Sequence, residues 1–123
     1  SFIGVSTKLV LLVGLGGGLG SIFRFALCLL FSNSIPWVTL SINITGGLLI
    51  GILAAWIESI EYADYWRAFW IFGFCGGFTT FSAFGYDFFN FFRNEQFGLS
   101  IIYIFISTAG TLFAVFLGHR LVS

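Results

Sequence analysis

Apolar residues fall into four long blocks, at about 9–30, 37–57, 68–92 and 98–118, separated by short stretches where charges and amides gather. Each block is close to the roughly 20 residues a helix needs to cross a bilayer, so the pattern predicts four transmembrane helices. Ser32-Asn33-Ser34-Ile35-Pro36 makes the first turn, and Pro36 suits a helix start because the missing N–H is not needed there. The stretch from Glu58 to Arg67 holds Glu58, Glu61 and Asp64, three of the five acids, and is expected in water or among headgroups. Arg93-Asn94-Glu95-Gln96 joins the third block to the fourth, and His119-Arg120 closes the fourth. Trp37, Trp56, Trp66 and Trp70 stand at block ends, where amphipathic rings favour the membrane interface.

Composition narrows the class. The 123 residues are 59% hydrophobic and 8% charged, with a mean hydropathy of +1.04. A soluble domain carries roughly 25% charged residues, so lipid rather than water must cover this surface. Four spans leave no room for a separate soluble domain, and the expectation is one all-α membrane domain over residues 1–123. Net charge is zero and no basic tract is present, which argues against nucleic acid as a partner. Lys8 before an apolar run resembles the start of a signal peptide, but no small-x-small site closes that run and three further spans follow. Lys8, Arg67 and Arg120 lie on one side of this arrangement and Arg93 on the other. That leans towards a cytoplasmic N-terminus, with a bias small enough to suit insertion in both orientations.

Cys28 and Cys75 sit within apolar blocks, without a second cysteine at metal-ligand spacing, and read as small buried hydrophobes. The pairs Gly14/Gly18, Gly16/Gly20, Gly47/Gly51 and Gly73/Gly77 have the small-xxx-small spacing that lets membrane helices approach closely. The Gly14–Gly20 run does not fit a dinucleotide-binding fingerprint in register.

Polar side chains inside the blocks are the functional candidates, because burying them in lipid is costly. Arg24 lies about two thirds along the first block, so it snorkels, lines water or meets an anion. Asn43 carries an amide that either clamps a neighbouring helix or donates to a passing ligand. Tyr103, Ser107 and Thr111 recur at i, i+4 and i+8, with Ser100 one turn earlier, and form a hydroxyl stripe on one helical face. In the third block, Gly73-Phe74-Cys75-Gly76-Gly77-Phe78-Thr79-Thr80-Phe81-Ser82-Ala83-Phe84 pairs two glycines with two threonines. That is poor material for a continuous helix, and a break is predicted. Backbone groups freed there must be buried in protein or bind something. Phe81 and Phe84 share a face beyond the break, and the positive edge of a phenyl ring can solvate a small anion weakly.

Gly-x-x-x-Arg-Phe at 20–25, Asn-x-x-Gly at 43–46 and the long motif at 73–84 together resemble the Fluc (CrcB) fluoride channels. The resemblance spans essentially the whole chain, and the third motif is the specific one. It implies a passive fluoride channel of the inner (plasma) membrane, an antiparallel dual-topology homodimer with two pores at its interface. It implies that Phe81 and Phe84 match pore-lining phenylalanines and Asn43 the pore asparagine, and that Tyr103, Ser107 and Thr111 fall on a polar track. It further implies a structural Na⁺ at the dimer centre on the backbone carbonyls of Gly76 and Thr79, with Arg24 near a vestibule. Ser82 adds a hydroxyl beside the phenylalanines. Ala83 stands where the family commonly has a hydroxyl residue, and Asp87 where it often has glutamate.

A proton-coupled small multidrug transporter is also small and four-spanning, but it needs a carboxylate in the first span, where this chain has Arg24. A packing subunit of a larger complex would use the glycine pairs but leaves the hydroxyl stripe unexplained. An enzyme is least favoured, since His119 is the one histidine and no nucleophile–base pair is evident.

Overall fold

The computed structural model describes the backbone of residues 2–123 and the side chains of residues 7–123. Helix α1 runs over Phe2–Leu30 and leads through a single 3₁₀ turn, Ser32–Ser34, into α2, Ile35–Ile57. After the 58–62 loop comes the short α3, Ala63–Trp66. It continues as a π-helical stretch, Arg67–Cys75, and then as α4, Gly76–Phe78. Helix α5 covers Phe81–Arg93 and α6 covers Phe97–Val122. Four segments, Thr7–Leu30, Ser32–Ile57, Ala63–Arg93 and Phe97–Val122, are long and apolar enough to cross a membrane.

The limits differ from the sequence pattern in places, for physical reasons. Helix α1 extends N-terminally past Lys8, giving about 43 Å of helix at 1.5 Å per residue, longer than the roughly 30 Å hydrocarbon core. The third segment starts at Ala63 rather than near residue 68. Asp64 falls in its first turn, where a carboxylate favours the positive end of a helix, and pairs with Arg67 at 3.1 Å. Trp70 consequently lies in the second turn of that segment, packed on Phe69 and Phe74, while Trp56 and Trp66 meet edge-on near the loop. His119 and Arg120 belong to the last turn of α6, where positive charge suits the helix C-terminus.

Two helix pairs make the fold: α2 lies along α6, and α1 lies along the π-helical stretch and α4. Direct contact of main chain on main chain explains the glycines. A Cβ on Gly51 would overlap the Val115 carbonyl, and one on Gly118 the Leu48 carbonyl, so α2 and α6 each need a glycine facing the other. Gly16, Gly20 and Gly77 play that part between α1 and the third segment. Gly14 and Gly18 do not: nothing lies within 4 Å of a Cβ at either position, so this pair leaves its face of α1 open rather than packing within the chain.

The buried set is small and includes Ile42, Ile57, Cys75, Phe78 and Tyr103, while many large apolar side chains such as Leu15, Phe25, Phe105 and Phe116 face outward. An outward apolar surface is no penalty in lipid, where close packing and polar contacts hold helices together instead of hydrophobic burial.

Candidate functional site

The geometry of the site is set by two residues. Thr79 (φ −85°, ψ 157°) and Thr80 (φ −153°, ψ 121°) are extended, so the helix ending at Phe78 does not run into the one starting at Phe81. In an unbroken helix the Thr80 amide would donate to the Gly76 carbonyl, Phe81 to Gly77 and Ala83 to Thr79. Here the Thr80 amide donates to Asn43 Oδ1 at 2.9 Å, and the Ala83 amide to Thr80 Oγ1 at 3.1 Å, which makes Thr80 the N-cap of α5. Asn43 Nδ2 returns a bond of 3.1 Å to the Thr80 carbonyl. The Gly77 carbonyl accepts from Arg24 Nε at 3.2 Å and from Ser21 Oγ at 3.4 Å, both on α1. Thr79 donates its amide and its hydroxyl to the Cys75 carbonyl, at 2.9 and 2.7 Å.

Asn43 is thus an interhelical clamp, fixing both polar groups of one peptide residue. One Nδ2 hydrogen remains beyond that clamp. The Gly76 and Thr79 carbonyls lack the donors that a continuous helix would supply, since those donors go to side chains. Oxygen ligands without donors suit a hard monovalent cation better than an anion. Among the described residues no group of three or more His, Cys, Asp or Glu is placed to hold a metal ion.

A groove of about 310 Å³ opens beside this link, between α2, α5 and α6. Asn43, Thr79, Thr80, Phe81, Phe84, Ser107, Thr108 and Thr111 line it, with Gly47, Ile50, Leu112 and Val115 as its apolar wall. The rings of Phe81 and Phe84 are 5.5 Å apart, and Phe81 stands 83% exposed at the rim. Ser107 is 5% exposed and its Oγ has no hydrogen-bond partner, the one such buried side-chain atom among the described residues.

Not every candidate residue reaches the groove. Tyr103 is fully buried behind it: its ring stacks on Phe84 at 5.4 Å and its hydroxyl donates to Asp87 Oδ2 at 2.9 Å. Ser100 Oγ donates to its own Phe97 carbonyl at 2.8 Å, so the hydroxyl row does not continue outward as a free stripe. Ser82 is exposed, with Oγ 3.2 Å from Thr80 Oγ1, and is not among the groove residues. Arg24, on α1, and Gly76, which opens α4, are not among the groove residues. Asp87 is 5% exposed and lines a second pocket with Asn90, Asn94 and Gln96 near the loop that precedes α6.

Thr80, Ser21 and Thr108 were not singled out by sequence. For Thr80 the signal was present, since a threonine opening a helical run is a common N-cap. Ser21 stands three residues before Arg24 and therefore shares its helical face.

Comparison with known proteins follows the same lines. The family described as CrcB-like protein, Camphor Resistance (CrcB), matches residues 11–119. A fluoride-specific ion channel, FluC, of Leptospira interrogans is 39% identical over 117 residues, covering 91% of this chain and 92% of the relative. The protein of the same name in Francisella philomiragia is 42% identical over 118 residues, with 89% and 91% covered. That of Agrobacterium fabrum is 38% identical over 117 residues, with 91% and 94% covered.

Proposed function

We propose, from the premise that this chain belongs to the CrcB family, that it is a passive fluoride channel of the inner membrane. It is a multi-pass membrane protein. The relatives' shared name supports the ion, and the groove supports the route.

Fluoride is small and strongly hydrated, so a pore must exchange its water for donors along the way. The free Nδ2 hydrogen of Asn43, the hydroxyls of Ser107 and Thr111, and the ring edges of Phe81 and Phe84 provide such a sequence. Weak contacts at several positions let the ion leave as readily as it enters. The single observation that carries this reading is the buried Ser107 hydroxyl without a partner, on the wall that Phe84 and Asn43 share. Ser82 extends the donors at the rim. Tyr103, held by Asp87, acts on the route by bracing Phe84. The outer nitrogens of Arg24 supply positive charge at a vestibule and attract the anion.

The groove is open on one side, with Phe81 projecting from it. A second copy in antiparallel orientation closes it, and the symmetry of that dimer gives two pores. Where the two third segments cross, the donor-free Gly76 and Thr79 carbonyls would hold a structural Na⁺, which would supply positive charge at the crossing. No energy source is needed. Hydrogen fluoride enters cells neutral and ionises inside, and the membrane potential then drives fluoride out through the channel.

The test is fluoride efflux from liposomes that hold the purified protein, followed with a fluoride electrode beside a chloride control and Phe81→Ile. Fast, fluoride-selective efflux that Phe81→Ile abolishes is expected. A well-folded dimer that passes no fluoride overturns the reading.

A further inference from the structure

Of the carbonyls that lose their helical donors at the Thr79–Thr80 link, Gly77 is treated differently from Gly76 and Thr79. Its oxygen is taken over by side chains from another helix. Arg24 Nε reaches it at 3.2 Å and Ser21 Oγ at 3.4 Å, from one face of α1. That face is otherwise built for contact with this segment. A Cβ on Gly77 would overlap the Gly17 carbonyl, and one on Gly20 the Phe74 carbonyl, so main chain rests on main chain in the turn of α1 just before the two donors. On the opposite flank Asn43 holds Thr80 by both its polar atoms. The link is therefore fastened at each end, by α1 before it and by α2 after it.

We propose that Arg24, through Nε, and Ser21 are positioning residues: they replace the lost amide donor at the Gly77 carbonyl and so fix where α4 gives way to α5. The consequence for conduction rests on the fluoride-channel reading, but the fastening itself does not. Only Nε is used in this contact, so the role is separable from the charge of the guanidinium. Nε is bonded directly to Cδ. Glutamine carries its amide nitrogen at the same place, without charge. Lysine keeps the charge but has carbon there, with its nitrogen one bond further out. Methionine matches the length with no donor at all.

Cys75 reports on the link. It is fully buried, two residues before Gly77, and its carbonyl receives both donors of Thr79. In a Cys28→Ser background, labelling of Cys75 in liposomes by membrane-permeant N-ethylmaleimide, counted by intact mass, measures how often the link opens. Arg24→Met is expected to raise the labelling rate about tenfold, as fits the loss of a charge-assisted hydrogen bond. Arg24→Gln is expected to stay close to the parent, Arg24→Lys to open like methionine, and Ser21→Ala to open less. Gel-filtration elution checks that each variant is folded. The proposal is overturned if methionine labels no faster than the parent, or if glutamine labels as fast as methionine. Lysine protecting while glutamine opens would make charge the cause and overturn it equally. No fluoride enters this measurement, so its outcome is independent of whether the parent conducts.

Discussion

A hydroxyl buried without a partner works against folding, and Ser107 carries one on the wall of the groove. Removing it separates stability from function. Ser107→Ala is expected to leave stability, read from thermal unfolding, unchanged or raised by about 1 kcal/mol at most, because no hydrogen bond is lost. Fluoride efflux measured on the same preparation is expected to fall by about tenfold, the weight of one hydrogen bond to a charged ligand. Asn43 behaves otherwise, since its amide serves both the Thr80 backbone and the groove. Asn43→Asp keeps the acceptor for the Thr80 amide, removes the donor to the Thr80 carbonyl and sets a negative charge against an anion's path. Loss of efflux together with a lowered unfolding midpoint is the expected pair, where a pure pore residue would change efflux alone. In the sequence Asn43 was legible as either a clamp or a donor, because an amide in a span is suited to both. Only the placement of Thr80 decides the first role. Tyr103 shows the converse: its i+4 spacing to Ser107 is correct, yet spacing cannot reveal that Asp87, sixteen residues earlier, holds its hydroxyl.

For the elements, the four apolar blocks were legible because lipid imposes its thickness on the chain. Their ends were less so. Asp64 reads as a loop residue until it is placed in the first turn of a helix with Arg67 one turn on. The glycines divide in the same manner. Equal spacing gives Gly14/Gly18 and Gly47/Gly51 the same appearance, but only the second pair lies on a neighbour's backbone. Gly51→Ala and Gly118→Ala must each push α2 and α6 apart, since what they meet is main-chain carbonyl, and a cost of about 2 kcal/mol is expected. Gly14→Ala has open space around it and is expected to leave the subunit as stable as the parent. Thermal unfolding in detergent distinguishes the two groups, and equal destabilisation would show that the α2–α6 contact is not what those glycines serve.

At the scale of the whole molecule, the charges give little instruction about orientation, since Lys8, Arg67 and Arg120 face a single Arg93. The proposed antiparallel pair requires both orientations. With Cys28→Ser and Cys75→Ala in place, a cysteine introduced as Ser123→Cys would mark the C-terminal end of α6. In intact cells a membrane-impermeant maleimide is then expected to label about half of the copies, as equal numbers in each orientation demand. Labelling of all copies or of none would overturn the dual topology. In the sequence a second copy was indicated only by the small charge bias and the family resemblance, because the open side of the groove exists only once α2, α5 and α6 are assembled. That open side also bears on heredity. A groove finished by its neighbour would mean, in the proposed pair, that no copy owns its own conduit. On the proposed dimer, a cell expressing a normal allele beside one defective at Phe81 would pair them at random. Most assemblies would carry at least one faulty wall, and the defective allele would lower efflux while the normal one was made in full amount.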